Sequence, residues 1–283
     1  MGGGVQHNRA IQHSLRRRVR TLRCLFVLCL PVLMASPAEA GAWTRPAGKG
    51  LIISSASHHQ FDLQAEGFGY SKFESSVYLE YGLTDRFTLQ GRLAQETRFH
   101  QSRVTLDKGG SVVHLSVNSV SHALGESEIG IRTRLAMASG WTVSAQTSLV
   151  RFSLTPNPLL EREAQWGSDG RLMIGRALGE RAFADLQFGH RGLWSGGQGE
   201  TRLDLTLGLR PVEAWLFLAQ SYSAWGRTEW SAYTRSYESH RVHLSVIAPL
   251  NEGLSFQVGA IRSAHSDSLA PETAYMVSLW REF

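Results

Sequence analysis

The 283-residue sequence carries 29 Lys and Arg against 24 Asp and Glu, but the basic excess is confined to its first 40 residues. Those hold six of the basic residues and one acid, Glu39, so residues 41–283 balance at 23 of each sign; no nucleic-acid partner is expected. Both cysteines, Cys24 and Cys29, lie in the same stretch, which excludes disulfide and thiolate chemistry from the remainder.

Residues 1–40 read as an export signal. A basic start (Arg16, Arg17, Arg18, Arg20, Arg23) leads into an apolar run from Cys24 to Ala35 and a small-residue end, Ala38-Glu39-Ala40. The run is about 12 residues, short of the roughly 20 a membrane helix requires, and Pro31 interrupts it. Leu28 precedes Cys29 where a lipid-attachment signal has a small residue. Cleavage after Ala40 is therefore expected, leaving residues 41–283 as one domain. No later stretch approaches ~18 uninterrupted apolar residues, so any membrane crossing is by strands.

Strict alternation dominates residues 41–283. Phe73, Ser75, Val77, Leu79 and Tyr81 share one face, with Glu74, Ser76, Tyr78 and Glu80 on the other. After the turn Gly82–Asp85, Phe87, Leu89, Gly91 and Leu93 oppose Arg86, Thr88, Gln90 and Arg92. Residues 126–138 repeat the pattern, Ile129, Ile131, Leu135 and Met137 opposing Glu128, Arg132 and Arg134; Ser139-Gly140 then turns into 141–154. Residues 202–210 set Leu203, Leu205, Leu207 and Leu209 against Arg202, Asp204, Thr206 and Arg210. Alone, this last strand fits a soluble sandwich as well as a barrel. Residues 215–220 are apolar on both faces, so periodicity assigns them no lumen side, and 112–120 alternates poorly, as an extra hairpin above the membrane would.

Connection lengths separate the two folds. Long polar segments (57–72, 99–123, 155–165, 191–200, 223–234, 264–271) alternate with tight turns (82–85, 139–140, 179–180, 211–213, 249–253). Between them fall twelve strands, from 49–56 to 273–283, with both ends on the short-turn side. The expected fold is all-β: a closed antiparallel transmembrane β-barrel of about 12 strands, with short periplasmic turns and long external loops. Lipid cannot satisfy edge-strand backbone groups, so a spanning sheet must close. Tyr81, Trp141, Phe183, Trp215, Trp280 and Phe283 fall near the short-turn ends, and Phe99, Phe152, Trp194, Tyr222, Trp225 and Tyr237 near the others, as two interfacial girdles would.

Two segments carry a family resemblance. Tyr275-Met276-Val277-Ser278-Leu279-Trp280-Arg281-Glu282-Phe283 resembles the carboxy-terminal assembly signal of Gram-negative outer membrane barrels, with Tyr275, Val277, Leu279 and Phe283 as its recognised positions; Arg281 departs from the usual apolar residue. Glu80-Tyr81-Gly82-Leu83-Thr84-Asp85-Arg86-Phe87-Thr88-Leu89 resembles a hairpin of uncharacterised outer membrane barrels, some linked to catabolic operons. Ala42-Trp43-Thr44-Arg45-Pro46, with Gly48 and Gly50, is similar to the start of such proteins. The resemblance implies a cell outer membrane location, outer membrane lipid, periplasmic chaperones and the barrel-assembly machinery as partners, and no particular substrate.

No cofactor or metal is expected, and no enzyme by preference. A hydrolase resembling the outer membrane phospholipases would use His-x-Ser on one strand face. His114-Leu115-Ser116 and His243-Leu244-Ser245 have that spacing without the Asn-Gly such lipases carry. His58-His59 and His265-Ser266-Asp267 fall in predicted loops without further ligands nearby. The informative chemistry is inward: Glu74, Glu80, Arg86, Arg92, Glu128, Arg132, Arg134, Asp185, Arg202, Asp204, Arg210 and Arg241 are predicted to face the lumen, since a basic residue toward mid-membrane lipid costs ~2 to 4 kcal/mol. Opposite charges there either pair across the lumen and plug it, as in a structural barrel, or line a narrow path for small polar or charged solutes.

Overall fold

A computed structural model describes residues 41–63, 68–108, 111–152, 165–194, 199–212, 214–230 and 233–283. Among them are thirteen strands: β1 (Gly50–Phe61), β2 (Phe68–Thr84), β3 (Phe87–Lys108), β4 (Ser111–Leu124), β5 (Ser127–Ala138), β6 (Trp141–Phe152), β7 (Gln165–Ala177), β8 (Ala182–Leu193), β9 (Gly199–Val212), β10 (Trp215–Trp230), β11 (Tyr233–Asn251), β12 (Leu254–Asp267) and β13 (Glu272–Glu282). All pair antiparallel, and β1 bonds both β2 and β13, from Leu51↔Glu282 to Phe61↔Glu272, so the sheet closes on itself.

Twelve strands form the wall, because β3 is shared. Its first part, Phe87–Arg92, pairs with β5, while Gln95–Lys108 pairs with β4 without a register break. The extra hairpin expected near 112–120 is thus β4 with the outer half of β3, and the expected closed barrel is borne out. Most of the long connections are shorter than expected, the one between β6 and β7 excepted: β1 runs on to Phe61, β2 starts at Phe68, β10 reaches Trp230 and β12 reaches Asp267. Each strand continues because its neighbour does, which satisfies the ladder beyond the apolar belt. The tight turn at 139–140 sits where expected, while those expected at 82–85 and 249–253 narrow to 85–86 and 252–253 because β2 and β11 run on to Thr84 and Asn251. Ser139 and Gly140 both adopt positive φ (50° and 80°), the two-residue hairpin geometry that matches strand twist.

Burial is inverted relative to a soluble sandwich. On β9, Leu205 is 38 % exposed while its neighbours Asp204 and Thr206 are 7 % and 5 % exposed. Apolar side chains line the outside (Val77, Leu93, Ile129, Leu172, Leu186, Leu244, Val258, Val277) and polar ones the inside, as a bilayer requires. Apolar on both faces, 215–220 resolves the same way. Leu216 and Leu218 point inward and pack with Ile247, Phe183 and Trp280 near the short-turn end, while Trp215 and Phe217 face out.

Four girdle assignments need correction. Phe183 and Trp280 belong to that internal cluster, and Tyr222 and Tyr237 line the lumen. The pleat sends each to the polar face, whatever its height. Tyr81, Trp141, Trp215, Phe283, Phe99, Trp194 and Trp225 are exposed on the wall; Trp141 carries the Arg176 guanidinium 4.5 Å above its ring. The side chain of Phe152 and residues 1–40, where the sequence predicts an export leader, lie outside the described residues.

Candidate functional site: the lumen and its amino-terminal floor

Residues 41–47 precede β1 and fold back into the short-turn end of the lumen. Fully buried, Ala42 donates its N–H to Asp185 Oδ2 on β8 (2.7 Å), and its carbonyl accepts from Ser144 Oγ on β6. The carbonyl of Trp43 accepts from Arg132 Nη1 (3.0 Å), and its ring meets Phe183 edge-on at 5.8 Å. On β7, Gly175 makes room for it: a Cβ there would stand 2.6 Å from the indole. Thr44 Oγ1 donates to the Asp85 carbonyl (2.7 Å), and the Arg45 N–H to Thr88 Oγ1 (2.8 Å). The segment therefore bridges β2, β3, β5, β6 and β8, forming a floor.

Glu80 is the hub of that floor. Buried on β2, it accepts from Arg45 Nε (2.8 Å), Arg132 Nη1 (3.0 Å) and Tyr78 Oη (2.7 Å). Arg132 also donates to Gln90 Oε1 (3.0 Å). A buried carboxylate with two guanidiniums and a phenol is fully compensated, so removing one partner exposes the others to a desolvation cost.

Above the floor lies a cavity of about 890 Å³ lined by both signs of charge. On the β1–β3 side, Lys72 Nζ sits between Glu74 (3.0 Å) and Glu96 (3.1 Å), Arg92 pairs with Glu74 (2.5 Å), and Arg98 with Glu96 (2.5 Å). Next to them Glu272 takes His59 and Arg241 (3.3 Å). On the β7–β9 side, Arg171 pairs with Asp169 (2.9 Å) and Arg202 with Glu200 (3.2 Å), and Arg191 joins Glu200 (2.8 Å) to Glu126 (2.6 Å). In the two-residue connection between β4 and β5, Glu126 is partly desolvated, which pushes its pKa up; the Arg191 and Arg202 guanidiniums outweigh this and hold it at about 2.

Of the residues expected inside, Glu74, Glu80, Arg92, Glu128, Arg132, Arg202, Asp204 and Arg241 line the cavity, and Asp185 is buried beneath the floor. Arg86, Arg134 and Arg210 do not; they sit beside short turns at the rim, where Arg86 Nε bonds the Arg134 carbonyl (3.0 Å). A register shift at Arg134/Ala136 ends the regular alternation there. Glu128 makes no ion pair among the described residues, although it faces the lumen.

Sequence reading missed Lys72, Glu96, Arg191, Glu200 and Glu272, because each falls in or beside a segment read as loop. Asp169 and Arg171 were legible as the polar face opposite Leu172 and Ile174. His59 is likewise a strand residue, buried and bonded to Ser57 and Glu272, while His58 points out. His265 pairs across β11–β12 with His240, their rings 5.9 Å apart, and among the described residues no group of three or more His, Cys, Asp or Glu is placed to hold a metal. The pair His243 and Ser245 is not assembled: Ser245 Oγ accepts from Gln257 (2.9 Å), and among the described residues His243 Nε2 has no hydrogen-bond partner. Of the other pair, Ser116 stands exposed on β4, and the His114 side chain lies outside the described residues.

No protein-family model matches the sequence, and no curated protein matches it. Solved structures do match. The COG4313 outer membrane channel from Pseudomonas putida F1 aligns at TM-score 0.66 and 14 % identity, over 87 % of this chain and 99 % of that one. The NanC porin aligns at 0.51 and 6 % identity, over 81 % and 98 %. The translocator domain of autotransporter NalP from Neisseria meningitidis aligns at 0.50 and 9 % identity, over 84 % and 90 %. At such identities the likeness establishes the fold, that of outer membrane β-barrels, and the resemblance read from the sequence holds at that level.

Proposed function

We propose that the protein is an outer membrane pore for small polar or charged solutes, closed at its periplasmic end by residues 41–47. The observation that carries this reading is the arrangement of the lumen. A cavity lined by paired charges opens above a floor made from a separate segment rather than from wall side chains. A barrel serving only as structure needs no such division, since its wall side chains can fill it. The floor residues join the wall through hydrogen bonds and one ion-pair hub, so they can leave without breaking a strand ladder. Mixed charge favours solutes that carry charge or many hydrogen-bonding groups over apolar ones, because the lining groups can exchange partners with the passing solute. Two of the structural matches are a channel and a porin, which agrees with this reading.

The alternative, a permanently plugged structural barrel, draws on the same floor. Proteoliposome swelling separates the two. With neutral, anionic, cationic and zwitterionic solutes of increasing size, the variant lacking residues 41–47 is expected to admit small solutes, and the intact protein to admit them slowly. No solute uptake through the shortened variant, once its heat-modifiable barrel is verified, contradicts a pore.

A further inference from the structure

Asp185 is a carboxylate without a counter-charge. It is 1 % exposed, sits on the lumen side of β8, and accepts two uncharged donors, the Ala42 N–H (2.7 Å) and Gln187 Nε2 (2.7 Å). Among the described residues no Lys, Arg or His pairs with it. A buried carboxylate in that position either loses its charge or finds a cation, because desolvation of an unpaired ion is expensive.

Its third neighbour is Gly41. The carboxylate occupies the place of a side chain on that residue: a Cβ built on Gly41 would lie 2.1 Å from Oδ1 and 2.5 Å from Oδ2. Gly41 has φ +79°, a conformation glycine adopts without penalty, and it borders the cavity. It is also the residue that comes after Ala38-Glu39-Ala40, the small-residue end of the export signal.

We infer that removal of the leader after Ala40 supplies the missing cation: the new α-ammonium of Gly41 pairs with Asp185 and anchors the floor segment in the lumen. The floor is then seated fully only in the processed protein, since an uncleaved leader places a neutral amide where the ammonium belongs. Cleavage thus becomes the step that both releases the barrel from its leader and locks its floor. The inference rests on the seating of residues 41–47 in the lumen and on cleavage after Ala40, and it stands whether or not the lumen conducts.

The test is the chemistry of the amine itself. Mature protein purified from membranes in detergent is labelled with an amine-reactive reagent across pH 6–10 (a range of about four units around the ordinary α-amine pKa), and the amino-terminal peptide is quantified by mass spectrometry. The expected result is a first residue of Gly41 and an apparent amine pKa at least ~1 unit above the ordinary ~7.7–8.0, so that labelling near pH 7 is ~10-fold or more slower than in the D185N variant. A mature chain that starts elsewhere, or a wild-type amine titrating at the ordinary value, overturns it. The wild-type titration decides the question even if D185N fails to fold, and a non-conducting barrel with a protected amine would sink the pore reading alone.

Discussion

Replacing Arg132 by Ala tests how the floor is held. Three of its contacts are close: the Trp43 carbonyl, Glu80 Oε1 and Gln90 Oε1, each at 3.0 Å. Only the first ties it directly to the floor segment. A hydrogen bond from a charged donor is worth ~1.5 to 3 kcal/mol, and ~1.4 kcal/mol is tenfold in an equilibrium, so losing it should raise the ratio of open to closed floor by ~10- to 100-fold. Part of that is offset, because Glu80 freed of one guanidinium holds Arg45 more firmly, and Arg45 belongs to the floor. The low end, ~10-fold, is the expectation. Single-channel recording in planar bilayers measures it as the fraction of time spent in conducting states. Arg134→Ala is the matched control, since it removes the same charge at the rim without touching the floor. An unchanged open fraction in Arg132→Ala, or an equal rise in Arg134→Ala, refutes the reasoning.

Other consequences come from single contacts. Gly175→Val places a side chain in the space of the Trp43 ring; it should unseat the floor and mimic loss of residues 41–47 in conductance while leaving the heat-modifiable barrel intact on gels. The low pKa of Glu126 makes its ion pair with Arg191 fully present above the ordinary carboxylate value of 4.5 and lost as pH falls toward about 2. Thermal denaturation in detergent should therefore show a fall in midpoint over that window which Glu126→Gln lessens, the remainder belonging to the other ion-paired carboxylates of the lumen; identical pH profiles would remove the assignment. Leu205→Arg faces a mid-wall guanidinium toward lipid and should cost ~2 to 4 kcal/mol in urea-titrated folding into lipid vesicles. Deleting Phe283, whose backbone bonds Gly50 in both directions where the barrel closes, should lower the assembled fraction recovered from outer membranes.

Most of the wall was legible because lipid and lumen impose a period of two. Leu203 to Leu209 on one face and Asp204 on the other could be assigned from the sequence, and so could the turn at 139–140 and, to within about three residues, the one at 85–86. Strand ends were not. Residues 57–60 are polar on both faces and 68–72 (Phe-Gly-Tyr-Ser-Lys) carry aromatics without an aliphatic lipid-facing run, so the pattern does not distinguish a loop from a strand that has left the bilayer, yet these segments carry His59 and Lys72 into the charge network. The floor was invisible for a different reason. Residues Ala42 to Pro46 have no periodicity, and they are fixed largely through backbone groups and through the absence of a side chain at Gly175, neither of which composition records. Its partners Arg132, Glu80 and Asp185 were read as lumen residues, but their shared task needed the register of six strands.

Closure of the pore by that floor is the claim most open to direct test. Single-channel conductance of the intact protein beside the variant lacking residues 41–47, at equal protein-to-lipid ratio, addresses it. A floored pore gives a largely silent intact barrel and stable, discrete steps from the shortened one, with ion selectivity that shifts when Glu128 is replaced by Gln. A shortened barrel that is folded, membrane-embedded and silent would contradict it.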